Sequence, residues 1–244
     1  MKKISKFISS PKGTVAVFGA AVVLLLLSTI GGARAALVNY SENHTTEIET
    51  QTIDVSLIEQ IGEKEEVSNP AVLLNGLVEE GEKVKAGVLY PEKLSVKNTG
   101  EIDQYVRVTI YKYWVKKGSG GETKVKNVYP GYIELNLADG WEADPKASTQ
   151  ERTVIYYKGI LKNGDEVEFA DGLKIDPAVA KIVTKNDQGK VTYDYEGLEF
   201  RVDVNVDAVQ THHAADAILS TWGCKVNNEN AGEDGVLSSL EFEW

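Results

Sequence analysis

The chain has one cysteine, Cys224, in 244 residues, which excludes an internal disulfide framework. It also leaves no lipobox cysteine behind the N-terminal apolar run. Histidine is almost as scarce: His44, His212 and His213 are the full set, and none stands in an H-E-x-x-H pattern. Zinc hydrolysis needs three fixed ligands and a carboxylate base, so that chemistry is poorly supplied. There is no G-x-S-x-G elbow, phosphate-binding loop or dinucleotide fingerprint. There is no twin-arginine pair and no LPxTG-like motif followed by an apolar tail. Basic charge is in deficit, with 26 Lys and Arg against 37 Asp and Glu, a net of −11. That balance argues against nucleic acid and anionic lipid as partners, and it favours solubility and an affinity for divalent cations. Beyond Ala36 no apolar run is long enough to span a bilayer. The expectation is a protein that is not an enzyme, with no cofactor, no catalytic residue and no metal site.

What is present begins at the N-terminus. Residues 1–14 carry Lys2, Lys3, Lys6 and Lys12 and no acid; Val15 to Ile30 is almost wholly apolar; GGARAA follows. Basic, apolar and small residues in that order have the layout of a secretory signal peptide. Ala33 and Ala35 occupy the −3 and −1 positions, so cleavage is expected before Ala36. A signal peptidase binds this stretch extended and takes only small side chains there. An uncleaved anchor helix is the alternative, although the run falls a little short of the roughly 20 residues a span needs. Cleavage removes five basic residues and no acidic ones, leaving 21 against 37 and a net charge of −16. The expected organisation is a signal peptide over 1–35, one domain over 36–225, and a polar tail over 226–244, mobile over 227–235. The expected location is extracellular, with membrane contact only through an uncleaved signal segment.

The middle of the chain reads as β-structure. Leu198 to Asp207 alternates apolar and polar residues without an error, which a strand with one buried and one wet face satisfies. In the 104–114 stretch Val106, Val108, Ile110 and Trp114 share one face. Tyr105, Arg107, Thr109, Tyr111 and Tyr113 lie on the other. Shorter runs agree: Ile53/Val55/Leu57, Leu94/Val96, Ile133/Leu135/Leu137, 154–157, Val167/Phe169 and Val191/Tyr193/Tyr195. Asn98-Thr99-Gly100 and Asn163-Gly164 read as turns, the second as a tight hairpin. Residues 59–69 and 117–127, charged or glycine-rich, read as exposed loops. Two short helices are expected, one at Asp176–Ala180 with Asp176 as cap and Pro177 at its first position, one at 211–222 stopped by Gly223. The fold class is all-β, a two-sheet antiparallel sandwich or jelly roll with one or two short helices, preceded by a signal-peptide helix.

Two stretches carry a family resemblance. One is the signal, its small-residue site and the following ALVNYSENHTTEIETQTIDVSLIEQ. The other is FRVDVNVDAVQTHHAADAILSTWG near the far end. Together they resemble the TasA/camelysin-type secreted proteins of Gram-positive bacteria. LSVKNTGEIDQYVRVTIYKYW and YYKGILKNGDEVEFADGLKID are of the same kind; residues 115–150 and Cys224 depart from it. The resemblance implies a jelly roll, a SipW-type signal peptidase as partner, and self-assembly into biofilm-matrix fibres. It implies that each subunit donates its N-terminal strand to the next. The donor would be 36–46, led by Leu37, Val38, Asn39 and Tyr40. Pairing of that segment with its own sheet, or disorder, is the competing expectation. A monomeric adhesion module is the second functional reading. A camelysin-like metalloprotease is the third.

Single residues offer weaker signals. Adjacent His212 and His213 on a helix would diverge by about 100° and cannot easily chelate one ion; Asp216 could pair with His212. Cys224 reads as a small buried residue or an intermolecular disulfide partner. The tyrosine stripe with Arg107 suits a glycan, a partner strand or a second buried face. Asp171, Asp176 and 228–230 could hold calcium, but lack EF-hand spacing. Asn43-His44-Thr45 is a glycosylation sequon without meaning in a bacterial protein.

Overall fold

The computed structural model describes residues 52–60, 66–70, 73, 74, 77, 78, 82–229, 231–233 and 235–244, together with Val15. Residues 51–244 form one compact unit, described here by itself. The signal-peptide helix, the cleavage site at Ala33, Ala35 and Ala36, the donor segment with Leu37, Val38, Asn39 and Tyr40, and His44 lie outside the described residues.

The unit is mostly β, and its strands pair antiparallel. In chain order they are β1 (Val55–Gln60), β2 (Glu66–Ser68), β3 (Leu89–Asn98), β4 (Gln104–Gly118), β5 (Gly121–Val125) and β6 (Ile133–Leu137). Then come β7 (Trp141–Ala143), β8 (Arg152–Tyr157), β9 (Glu166–Ile175), β10 (Val183–Lys185), β11 (Val191–Tyr193) and β12 (Leu198–Gln210). One sheet has the order β2-β1-β3-β9-β6. The other has the order β12-β4-β8-β7, with β5 folded back on the end of β4. β10 and β11 make a separate two-stranded ribbon.

Period-two patterning builds the main core. Val106, Val108, Ile110 and Trp114 of β4 are all buried, and they share one cluster with Leu57, Leu94, Val96, Phe169 and Leu173 of the other sheet. Each such side chain contributes about 1.5–3 kcal/mol on leaving water. A second cluster lies on the opposite face of β4 and β8. There Tyr105, Val154, Tyr156 and Val209 are covered by Ala214 and Ile218 of helix α1 (Ala214–Trp222), and by Val226, Leu237 and Leu240.

Four expectations change. Asn163-Gly164 is not a hairpin, because β8 and β9 lie in different sheets; the turn is a crossover between them. Residues 59–69 are not a simple exposed loop: Glu59 is buried on β1 and Glu66–Ser68 is a strand. The 117–127 stretch is the exposed β4–β5 hairpin. Segment 226–244 is not a polar appendage. Its polar composition hides three apolar residues spaced far enough apart to escape pattern reading, and Val226, Leu237 and Leu240 are all buried. The helices come closer to expectation. A 3-10 turn covers Pro177–Lys181, with the Asp176 carboxylate accepting the Ala178 N–H at 2.7 Å. α1 starts at Ala214 because His213 is left-handed, with φ 49°. Gly223 ends it at φ 73°, the left-handed stop that favours glycine.

Two of the crossovers between sheets, β3 to β4 and β8 to β9, converge on Asn98. Its Nδ2 donates to the carbonyls of Ile102 (2.8 Å) and Leu161 (3.0 Å), and its Oδ1 accepts from Gly100 N–H and from Gln104 Nε2. The buried amide thus uses all four of its hydrogen-bonding positions. Gly100 is required beside it, since a Cβ there would come within 2.7 Å of Gln104 Nε2, Thr52 O and Asp54 N.

Candidate functional site: a free sheet edge

β12 pairs with β4 over its whole length, from Leu198 opposite Lys116 to Gln210 opposite Gln104. No described strand occupies its other side. An edge of 13 residues presents a long row of backbone donors and acceptors. Natural edges are commonly blunted by proline, charged side chains (lysine above all) or a bulge; β12 has no proline, lysine or break in its pairing, and its charges are Glu199, Arg201, Asp203 and Asp207. Its inward residues Leu198, Phe200, Val204 and Val206 are only half-buried. Around Val204 to Asp207 lies an open cavity of about 540 Å³, lined also by Arg107, Thr109 and Tyr111 of β4 and by Leu57, Asn69 and Pro70.

Much of the outer face of β4 is engaged within its own protein, although Arg107, Thr109 and Tyr111 also line that cavity. Tyr105 donates its O–H to Leu237 O at 2.5 Å and accepts Leu237 N–H at 3.1 Å. Arg107 pairs with Asp207 through Nε (3.2 Å) and Nη2 (3.0 Å), with its guanidinium over the Trp222 ring. Tyr113 donates to Asp203 at 2.9 Å under the Lys124 ammonium. The stripe is therefore a covered face at the Tyr105 end and a cross-strand polar ladder at the other.

His212 and His213 precede α1, and Cys224 follows it. The two rings stack edge-on with centroids 4.3 Å apart, both exposed. No group of three His, Cys, Asp or Glu among the described residues is placed to hold a metal ion. Asp171 accepts from Asn136 and Asp176 caps the 3-10 turn, so these two do not converge. Cys224 donates its S–H to Tyr156 Oη at 3.2 Å, and Tyr156 donates to Asp144 Oδ2 at 3.0 Å. The order of residues suggests a relay, but the polarity is wrong for a nucleophile. Burial raises the thiol, and burial with the Cys224 and Asp144 partners raises the tyrosine well above its usual range. The thiolate that reactivity requires is disfavoured.

Comparison with known family models, curated proteins and solved structures finds no match. The site stands on its own geometry.

One feature of the interior was missed in the sequence. Glu59 and Glu92 are buried carboxyls, 3% and 1% exposed. Burial and the neighbouring Glu59 push Glu92 up to about 9, so it holds a proton at neutral pH. Glu59 was readable: it continues the Val55/Leu57 face at period two. The charged run that follows it disguised the strand.

Proposed function

We propose that this chain is a secreted structural subunit of extracellular matrix or biofilm fibres. In this reading a SipW-type peptidase cuts before Ala36, and the freed segment 36–46 adds as a strand to a neighbouring jelly roll. The observation that carries the reading is the free β12 edge beside an open cavity. Strand addition draws affinity from main-chain hydrogen bonds and register from alternate side chains. Leu37 and Asn39 would face one way, Val38 and Tyr40 the other. Each new backbone bond contributes about 0.5–1.5 kcal/mol net, against the cost of ordering the strand. Assembly should therefore depend on concentration.

The test is electron microscopy and light scattering of two forms. The chain starting at Ala36 should polymerise as its concentration rises. The chain starting at residue 47 should stay a folded, β-rich monomer. Equal fibres from both, or none from the longer form, would sink donor-strand assembly and leave the monomeric adhesion module as the better account.

A further inference from the structure

In the β12–β4 ladder Asp207 stands opposite Arg107, and Asn205 opposite Thr109; Tyr111 is two residues further along β4. Residues two apart on a strand share a face. Arg107, Thr109, Tyr111, Asn205 and Asp207 therefore lie together on the outward face, and all five line the open cavity of about 540 Å³. Sites for small ligands run to about 300–1,000 Å³. Thr109 is buried, Tyr111 half-buried and Asn205 exposed, so the wall runs from floor to rim.

Much of the hydrogen-bonding capacity of this wall is unspent. Arg107 directs Nε and Nη2 at a single oxygen, Asp207 Oδ2, at 3.2 and 3.0 Å. Its Nη1 and Asp207 Oδ1 are left as a donor beside an acceptor. Among the described residues, the side chains of Asn205, Thr109 and Tyr111 bond to no protein group. The charges cancel as well. Arg107 and Asp207 are an ion pair, and no other charged side chain among the described residues lines the cavity. A phosphate, sulfate or uronate would meet the Asp207 carboxylate with no spare cation to offset it. A purely apolar ligand would leave the polar groups dry and unpaired.

We propose that this cavity binds a neutral polysaccharide. Every sugar hydroxyl both donates and accepts, so neighbouring hydroxyls match Arg107 Nη1 with Asp207 Oδ1. The Asn205 amide offers the same pairing of N–H and C=O. The Tyr111 ring supplies an apolar surface for the C–H face of a sugar, with a polar tip at its hydroxyl. Arg107 is already held by Asp207 and by the Trp222 ring, 5.5 Å from the guanidinium, so little side-chain freedom is lost on binding. An open cavity admits the middle of a polymer as well as its end. The site uses outward side chains, whereas strand addition uses the β12 backbone, so it goes beyond donor-strand assembly and does not rest on it.

The experiment is affinity electrophoresis in native gels cast with dextran, soluble starch, hydroxyethyl cellulose or galactomannan. Polygalacturonate is the charged control. The chain starting at Ala36, below the concentration at which it scatters light, runs beside the form starting at residue 47. At least one neutral polymer should retard both forms saturably, and polygalacturonate neither. Raising salt from about 0.05 to 0.5 M should leave the retardation unchanged, because no net charge is matched. Asn205→Ala, at an exposed position, should weaken it about tenfold. Tyr111→Ala should lose it, while Tyr111→Phe keeps most of it through the ring. Unchanged urea midpoints would show that these variants stay folded. Mobility unmoved by every neutral polymer would overturn the site. So would retardation that Asn205→Ala and Tyr111→Ala both leave intact, or retardation by polygalacturonate that salt abolishes. Fibres without retardation would sink this site alone, and retardation without fibres would sink donor-strand assembly alone.

Discussion

Asn98 holds two sheets together with one side chain, and its value lies in having no spare hydrogen-bonding capacity. Replacing it by Ala removes all four of its bonds: the Ile102 carbonyl loses the Asn98 donor and Gln104 Nε2 loses one of its two acceptors, while Leu161 O keeps the Gln104 N–H. Each buried unpaired group costs about 1–3 kcal/mol, so Asn98→Ala should lower unfolding stability by at least that much in urea. Asn98→Asp should be no better, because a carboxylate cannot donate to the two carbonyls. Glu92 gives a pH signature. Its carboxyl titrates near 4.5 when unfolded and near 9 when folded. Between those values the folded chain keeps a proton that the unfolded chain has lost. The stability it contributes is complete below pH 4.5 and falls as pH rises toward 9, by up to about 1.4 kcal/mol per unit. The wild-type stability should therefore drop across this window relative to Glu92→Gln. Parallel curves for the two proteins would show that the buried pair is not protonated as described.

Among the elements, the closing segment is the most vulnerable. Leu240 is fully buried against the outer face of the second sheet. Leu240→Ala should cost about 2–5 kcal/mol through lost burial and the cavity left behind. Near-ultraviolet dichroism should report loosening around Tyr156, which stacks on Phe242 at 4.5 Å. A change under 1 kcal/mol would mean that the segment does not seal this cluster. The strands themselves were legible in the sequence. Alternation, without an error in β12 from Leu198 to Asp207 and broken only at Lys112 on the inward face of β4 from Val106 to Trp114, set both their type and their inward residues, because burial on one face writes period two into the chain. Pairing was not legible. Asn163-Gly164 has the same local chemistry in a hairpin as in a crossover, and only non-local partners decide between them. The closing segment was missed for a related reason: Val226, Leu237 and Leu240 fit no period, since each fills a gap made by other elements. The free edge of β12 was equally hidden, because an unpaired side is a property of the sheet and not of the strand.

For the whole molecule, charge opposes association and the edge favours it. The chain expected after cleavage carries −16. Self-repulsion of that size is long-ranged and falls within a Debye length of about 10 Å at 0.1 M salt. Mild acid neutralises part of it, and salt screens it. The concentration at which the form starting at Ala36 scatters light should therefore fall as pH drops toward 5 or as salt rises, while the form starting at residue 47 stays unresponsive. Equal responses from the two would assign the effect to general precipitation. The bond between Tyr105 and Leu237 joins positions 132 apart. A ribosome delivers Leu237 long after the tyrosine it seals, so the growing chain carries an uncovered oily patch until its final stretch arrives. A product broken off before residue 237 would keep its strands and still display Tyr105, Val154 and Tyr156 to any chaperone or protease that samples exposed greasy surface. Completeness of synthesis is thus written into the packing, where quality control can read it.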